Sequence, residues 1–166
     1  MNRLIEARSQ LDLVRDVLEG YAERGVFRGF SAGPVQGRKA VFRMIWHRNR
    51  AFDLLVDLEA GTLRFPNLLP NVPADAAMYR ELKAFVKARH ADDLPEHRRI
   101  DTSKAHVRPY NRQGSVSLVL TMKDGDCQYG ARKLIHLVHE IFLTFLTEGS
   151  CLEYMVETFD LDPDRM

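Results

Sequence analysis

No run of apolar residues in this chain approaches the roughly 18 that a membrane-spanning helix needs, so a helical membrane protein is excluded as a reading. Cysteine is nearly missing as well. The two present, Cys127 and Cys151, lack zinc-binding spacing and fit reduced thiols. Neither sign of charge prevails: 24 basic against 23 acidic residues give a formal net charge of +1. Bulk electrostatics therefore gives no reason to expect nucleic acid as a partner. The Walker loop, GxGxxG, GxSxG and a carboxylate pair at a strand end are all absent, and with them the commonest nucleotide and acyl-transfer chemistries. The opening segment, MNRLIEARSQLDLVRD, has no apolar core of the signal-peptide kind, so a cytoplasmic location is expected.

What is present is periodicity. Between Gly130 and Leu146, Leu134, Val138, Ile141, Phe142 and Phe145 recur at helical spacing. Lys133, His136, Glu140 and Thr147 fall opposite them. A stripe that wide must be covered, and the alternating segments upstream can cover it. Residues 2–24 predict a first helix through Ala7, Leu11, Val14 and Leu18, ending at Gly25.

The period then becomes two. Val26–Ala32 predicts a weak strand ending at Gly33-Pro34. Lys39–Trp46 predicts a stronger one with Ala40, Phe42, Met44 and Trp46 on one face. Phe52, Leu54 and Val56 mark a third, and Thr62–Phe65 a short fourth. Three prolines between Pro66 and Pro73 should end the ladder. A helix over Ala74–His90 comes next, then a long basic loop. Ala105–Asn111 and Ser115–Met122 form a hairpin, with Pro109 marking the first strand as an edge or as carrying a bulge. Asp126 can cap the long helix, and Leu152–Phe159 predicts a short last one. The sum, at 166 residues, is one domain. It is a two-layer α+β fold, an antiparallel sheet of five or six strands packed by N-terminal and C-terminal helices.

Three groups of residues could carry function. His136, His139 and Glu140 share a flank of the long helix, but their order matches neither His-Glu-x-x-His nor its inverse, so solvated or capping histidines are the expectation. Arg98, Arg99, Lys104 and Arg108 could hold an anion with their fork-shaped or ammonium heads; the blander reading is a loop of salt bridges. Leu143 projects from the centre of the polar arc, and with Tyr154, Met155 and Phe159 could form a partner or self-association surface. Cys127, beside a helix start, is expected to be buried and inert.

The LEAGTLRF turn, the VSLVLTMKDGD strand and turn, and the helix beginning YGARKLIHLVHEIFLTFL give the chain a likeness to a known family. In element order it resembles the type III secretion chaperone-like fold, and within it the YbjN-type sensory regulators. That resemblance implies a single domain over residues 1–166; the extra C-terminal helix expected at about 151–160 lies outside the family's basic pattern. It implies a non-catalytic, dimeric protein-binding or chaperone-like module with no cofactor. The competing expectation is a small metal-dependent or anion-binding enzyme using the His136/His139/Glu140 cluster or the Arg98–Arg108 loop.

Overall fold

The structure, a computed structural model, describes residues 2–148 and 151–159, without the side chains of residues 2–4 and 152. Helix α1 (Asn2–Glu23) buries Ala7, Leu11, Val14 and Leu18. It stops where Gly25 turns left-handed, at φ +77, and Val26 N–H reaches back to Tyr21 O at 3.0 Å. Glycine adopts that backbone at no steric cost, which is why the helix ends there.

Six strands form one antiparallel sheet: β1 (Arg28–Gln36), β2 (Lys39–Trp46), β3 (Arg50–Asp57), β4 (Thr62–Leu69), β5 (Ala105–Arg112) and β6 (Ser115–Met122). Their spatial order is β1-β2-β3-β4-β6-β5. Helix α2 (Ala77–Ala88) joins β4 to β5 and packs against β5. Helix α3 (Cys127–Glu140) follows β6, widens into a π turn (Ile141–Phe145) and precedes α4 (Cys151–Phe159).

Alternation decides which face is covered. Ala40, Phe42, Met44 and Trp46 of β2 point inward with Phe52, Leu54 and Val56 of β3, Leu63 and Phe65 of β4, and Val116, Leu118 and Leu120 of β6. Helix α3 lies on this face, and α1 packs beside it. Gly130 allows the approach: a Cβ there would stand 3.1 Å from both Leu120 and Leu63 side chains. Asp126 caps α3, its carboxylate accepting from Tyr129 N–H at 3.0 Å, so one of the helix's orphan donors is satisfied. The architecture is the two-layer α+β fold expected.

Four boundaries differ from the sequence reading, each for a local reason. Strand β1 runs through Gly33-Pro34 to Gln36, because an edge strand with two register shifts tolerates proline. Strand β4 likewise passes Pro66. Its pairing with β3 ends at Arg64, and its pairing with β6 skips from Phe65 to Leu69, so Pro66 falls in a bulge where no ladder bond is asked of it. Helix α2 starts at Ala77 rather than at Pro73-Ala74, after a turn closed by Ala76 N–H to Pro73 O. The long helix is α-helical only to Glu140. Beyond it Leu146 N–H bonds Ile141 O at 2.9 Å, five residues back, and this wider turn faces Ile141, Phe142 and Phe145 inward together. The sequence also places the end of the last helix near Asp162-Pro163, which lies outside the described residues.

The β5 edge of the sheet is blunted. On β5 the outward N–H of Ala105 donates to Asp101 O and that of Val107 to His90 Nε2, while Pro109 has none. Little backbone is left for another strand to pair with.

Candidate functional site

The polar flank of α3 is where sequence placed the sharpest chemistry. His136 Nε2 lies 2.9 Å from Glu140 Oε1, though the two atoms are not aligned for a hydrogen bond. The other carboxylate oxygen takes Arg89 Nη1 at 2.9 Å and Arg98 Nη2 at 3.5 Å. Arg89 is the residue that ends α2, so Glu140 ties the end of one helix to the end of the other. Its side chain is only 11% exposed, and that of Arg89 14%. His139 turns away from this group and stacks on Trp46, ring centres 6.2 Å apart, and against His47 at 5.3 Å. Among the described residues no three His, Cys, Asp or Glu side chains are placed to hold a metal ion. The expectation of solvated histidines is corrected for both: His136 is half-buried against Glu140, and His139 is part of an aromatic stack.

His47 is the centre of that stack. Its ring lies flat on Phe142 at 4.5 Å and on Trp46 at 4.5 Å, and its buried Nε2 has no hydrogen-bond partner among the described residues. Burial pushes its pKa down to about 3, helped by the nearby His139 and Arg48. His90 is also held neutral, chiefly by burial, and its role requires it: Nδ1 faces Val86 O, leaving Nε2 to accept from Val107.

The consequence is acid sensitivity. An unfolded imidazole titrates near 6.5, whereas folded His47 takes its proton only near 3. Between those values the unfolded chain holds more protons, so stability complete above pH 6.5 is lost as the pH falls. The slope from one such group is at most about 1.4 kcal/mol per pH unit, less for a ring that water partly reaches. Urea midpoints measured from pH 7.5 to 4.5 are expected to fall, and His47→Phe to flatten the curve. An unchanged slope in that variant would remove His47 from the explanation.

The basic loop does not converge. Arg98 goes to Glu140, Arg99 donates to Asp92 O at 3.2 Å, and Lys104 bridges Asp124 and Asp126 at 3.2 and 3.1 Å. Arg108 stands apart on β5. The four do not form one anion site. The partner surface drawn from α4 changes too. Met155 is 0% exposed, Tyr154 donates its hydroxyl to Pro70 O at 2.6 Å, and Phe159 packs on Phe142 with Arg50 over its ring. Of that group Leu143 alone stands open, at 55%. Cys127 is buried, with its thiol pushed up to about 11 by burial.

A scan of protein-family models, curated proteins and solved structures finds none that matches this chain.

The largest open feature is the outer face of the sheet, which no helix among the described residues covers. Register aligns its side chains in rows across the strands. Val41 lies beside Leu55, Leu55 beside Arg64, Arg64 beside Val119. Val41, Leu55 and Val119 are each half-exposed. Two ion pairs flank this row, Lys39–Asp57 at 3.8 Å on one side and Arg43–Asp53 at 2.8 Å on the other. A shallow depression of about 440 Å³ lies where Val41 and Leu55 meet Pro34, Gln36 and Arg64. The sequence signal was there to be read: Val41, Ile45 and Leu55 occupy outward positions where a solvated face would carry polar residues. Residues that sequence reasoning missed altogether are Arg89, whose partner lies 51 positions away, and the His47–Phe142 stack. Neither follows from any local pattern.

Among the described residues, no helix is long and apolar enough to cross a membrane.

Proposed function

We propose that this protein is a non-catalytic, cytoplasmic protein-binding module that pairs with a second copy of itself through the outer face of its sheet. The observation that carries the reading is the arrangement of that face. It has an apolar centre, Val41 and Leu55, continued across Arg64 by Val119, and a charged rim, which is the anatomy of a protein interface. The face is also complementary to itself. Strand β2 presents a column of cations, Lys39 and Arg43; β3 beside it presents a column of acids, Asp57 and Asp53. A two-fold axis running along the strands between β2 and β3 sets each copy's cations over the other's acids, and each Val41 over the other's Leu55. Isologous pairing requires that kind of patch.

The groups closest to chemistry support binding over catalysis, because His136, Glu140, Arg98 and Lys104 are each engaged by a neighbour in the same chain. The protein-binding role is also what the likeness to the YbjN-type regulators implies. Light scattering across a concentration series tests the pairing. A dimer is expected for the natural chain and a monomer for Leu55→Glu, with the circular dichroism of both alike. A natural chain that stays monomeric throughout, or a Leu55→Glu variant that still dimerises, overturns the reading.

A further inference from the structure

Arg108, separated from the other loop cations, lines a different feature. Between α2 and the edge strand β5 runs a cleft of about 440 Å³, lined by Lys83, Val86, Lys87, His106, Val107, Arg108, Pro109 and Tyr110. Its floor is apolar, from Val86, Val107 and Pro109. Its rims are cationic: Lys83 and Lys87, one helical turn apart on α2, face Arg108 across the gap. No Asp or Glu lines it. Among the described residues Lys87 and Arg108 make no ion pair, and Lys83 rests over the Tyr79 ring at 4.9 Å. Here positive charge is left over. His106 stacks its ring on His90 at 4.7 Å, and its pKa is lowered by burial first, then by His90, Arg108 and Lys123.

We propose that this cleft binds an acidic, partly apolar peptide segment of a partner protein, with Lys83, Lys87 and Arg108 reading its carboxylates. Three features select that ligand. The cations are spread along a groove with an oily floor, which suits carboxylates separated by apolar side chains rather than one compact anion. A lone phosphate is best held by a cradle of backbone N–H groups or a helix start. This cleft offers neither, since Val107 N–H is given to His90 and Pro109 has none. The same blocked edge rules out capture by strand addition, so side chains must do the recognition. Tyr110, 50% exposed at the rim, supplies an aromatic anchor of the sort enriched at interfaces.

The test is fluorescence anisotropy with a fluorescein-labelled octapeptide of Asp, Glu and Leu, at low ionic strength. Binding is expected, and Lys87→Glu/Arg108→Glu is expected to weaken it at least about tenfold through like-charge repulsion. Lys87→Arg/Arg108→Lys is expected to retain it. These side chains are exposed, so the variants keep the native circular dichroism, and the dimer, which uses another face, is unaffected. A peptide with Lys in place of the acids is expected not to bind. Absence of binding by the acidic peptide, equal binding by the charge-reversed variant, or binding of the lysine peptide overturns the proposal. So does displacement of the acidic peptide by inorganic phosphate beyond what chloride of matched ionic strength achieves, which would make the cleft a simple anion site.

Discussion

Phe142→Ala is expected to destabilise the protein by about 3–5 kcal/mol, the range for truncating a buried phenylalanine. Single domains commonly have about 5–15 kcal/mol in all, so the variant stands near the limit of folding. The reason is position more than area. Phe142 sits in the π turn, 2% exposed, and touches three separate parts of the chain. Its ring lies flat on His47, meets Phe52 edge-on at 5.9 Å and Phe159 at 6.1 Å. Removing it opens a hole bordered by the β2–β3 turn, the sheet and α4 at once, and none can close it without disturbing the others. The β2–β3 turn is the least able to adapt, because Arg48 and Asn49 hold left-handed backbone at φ 57 and 59. Such conformations persist only when neighbours enforce them. Urea denaturation measures the loss. Leu143→Ala, one residue along and facing solvent, is the control and is expected to change stability by no more than about 0.5 kcal/mol. A Phe142 variant as mild as that control would mean the ring stack holds nothing together.

Glu140→Ala is the second large effect, expected near 3 kcal/mol. Breaking a buried ion pair by deleting one partner costs about 3–5 kcal/mol, since the survivor is left charged and desolvated. Here Arg89 is the survivor, 14% exposed, with Arg98 beside it at 41% and better able to find water. The lower end of the range therefore applies. The pair joins the end of α2 to the end of α3, so its loss also frees the loop between α2 and β5. Glu140→Gln keeps the shape and an acceptor, and is expected to cost about half as much. The double variant Arg89→Ala/Glu140→Ala is the sharper measurement. Both charges are gone, so its loss is expected to fall well below the sum of the two single losses. Strict additivity would show that the two side chains do not act as a pair.

How much of this could be read from the chain depends on whether the determinant is local. Strand β6 was legible because Val116, Leu118 and Leu120 alternate without interruption and every one is buried. The start of α3 was legible because Asp126 is a capping residue at a turn. Pro109 marked an edge strand or a bulge, and β5 is an edge strand. Proline misled at Pro66, where the rule against ladder prolines holds but a bulge removes the ladder bond instead of ending the strand. The π turn was invisible because Leu134, Val138, Ile141, Phe142 and Phe145 satisfy either winding. The outward apolar positions of β2 and β3 could be read as such, but the pairings that build the candidate sites were least legible of all. Glu140 finds Arg89, Arg108 finds Lys83 and Lys87 across a cleft, and Val41 finds Leu55 in a neighbouring strand. Each meeting is set by how elements pack, and residue spacing within one element carries no record of it.

The proposed function makes the outer sheet face, with Val41, Leu55 and Val119, the working surface in place of the Leu143 side of the π turn. Methyl NMR of the natural chain over a dilution series addresses it most directly. The methyl signals of Val41, Leu55 and Val119 are expected to move together as the dimer separates, while those of Leu143 stay in place. Movement confined to Leu143, with the sheet-face methyls unchanged at every concentration, would contradict the account.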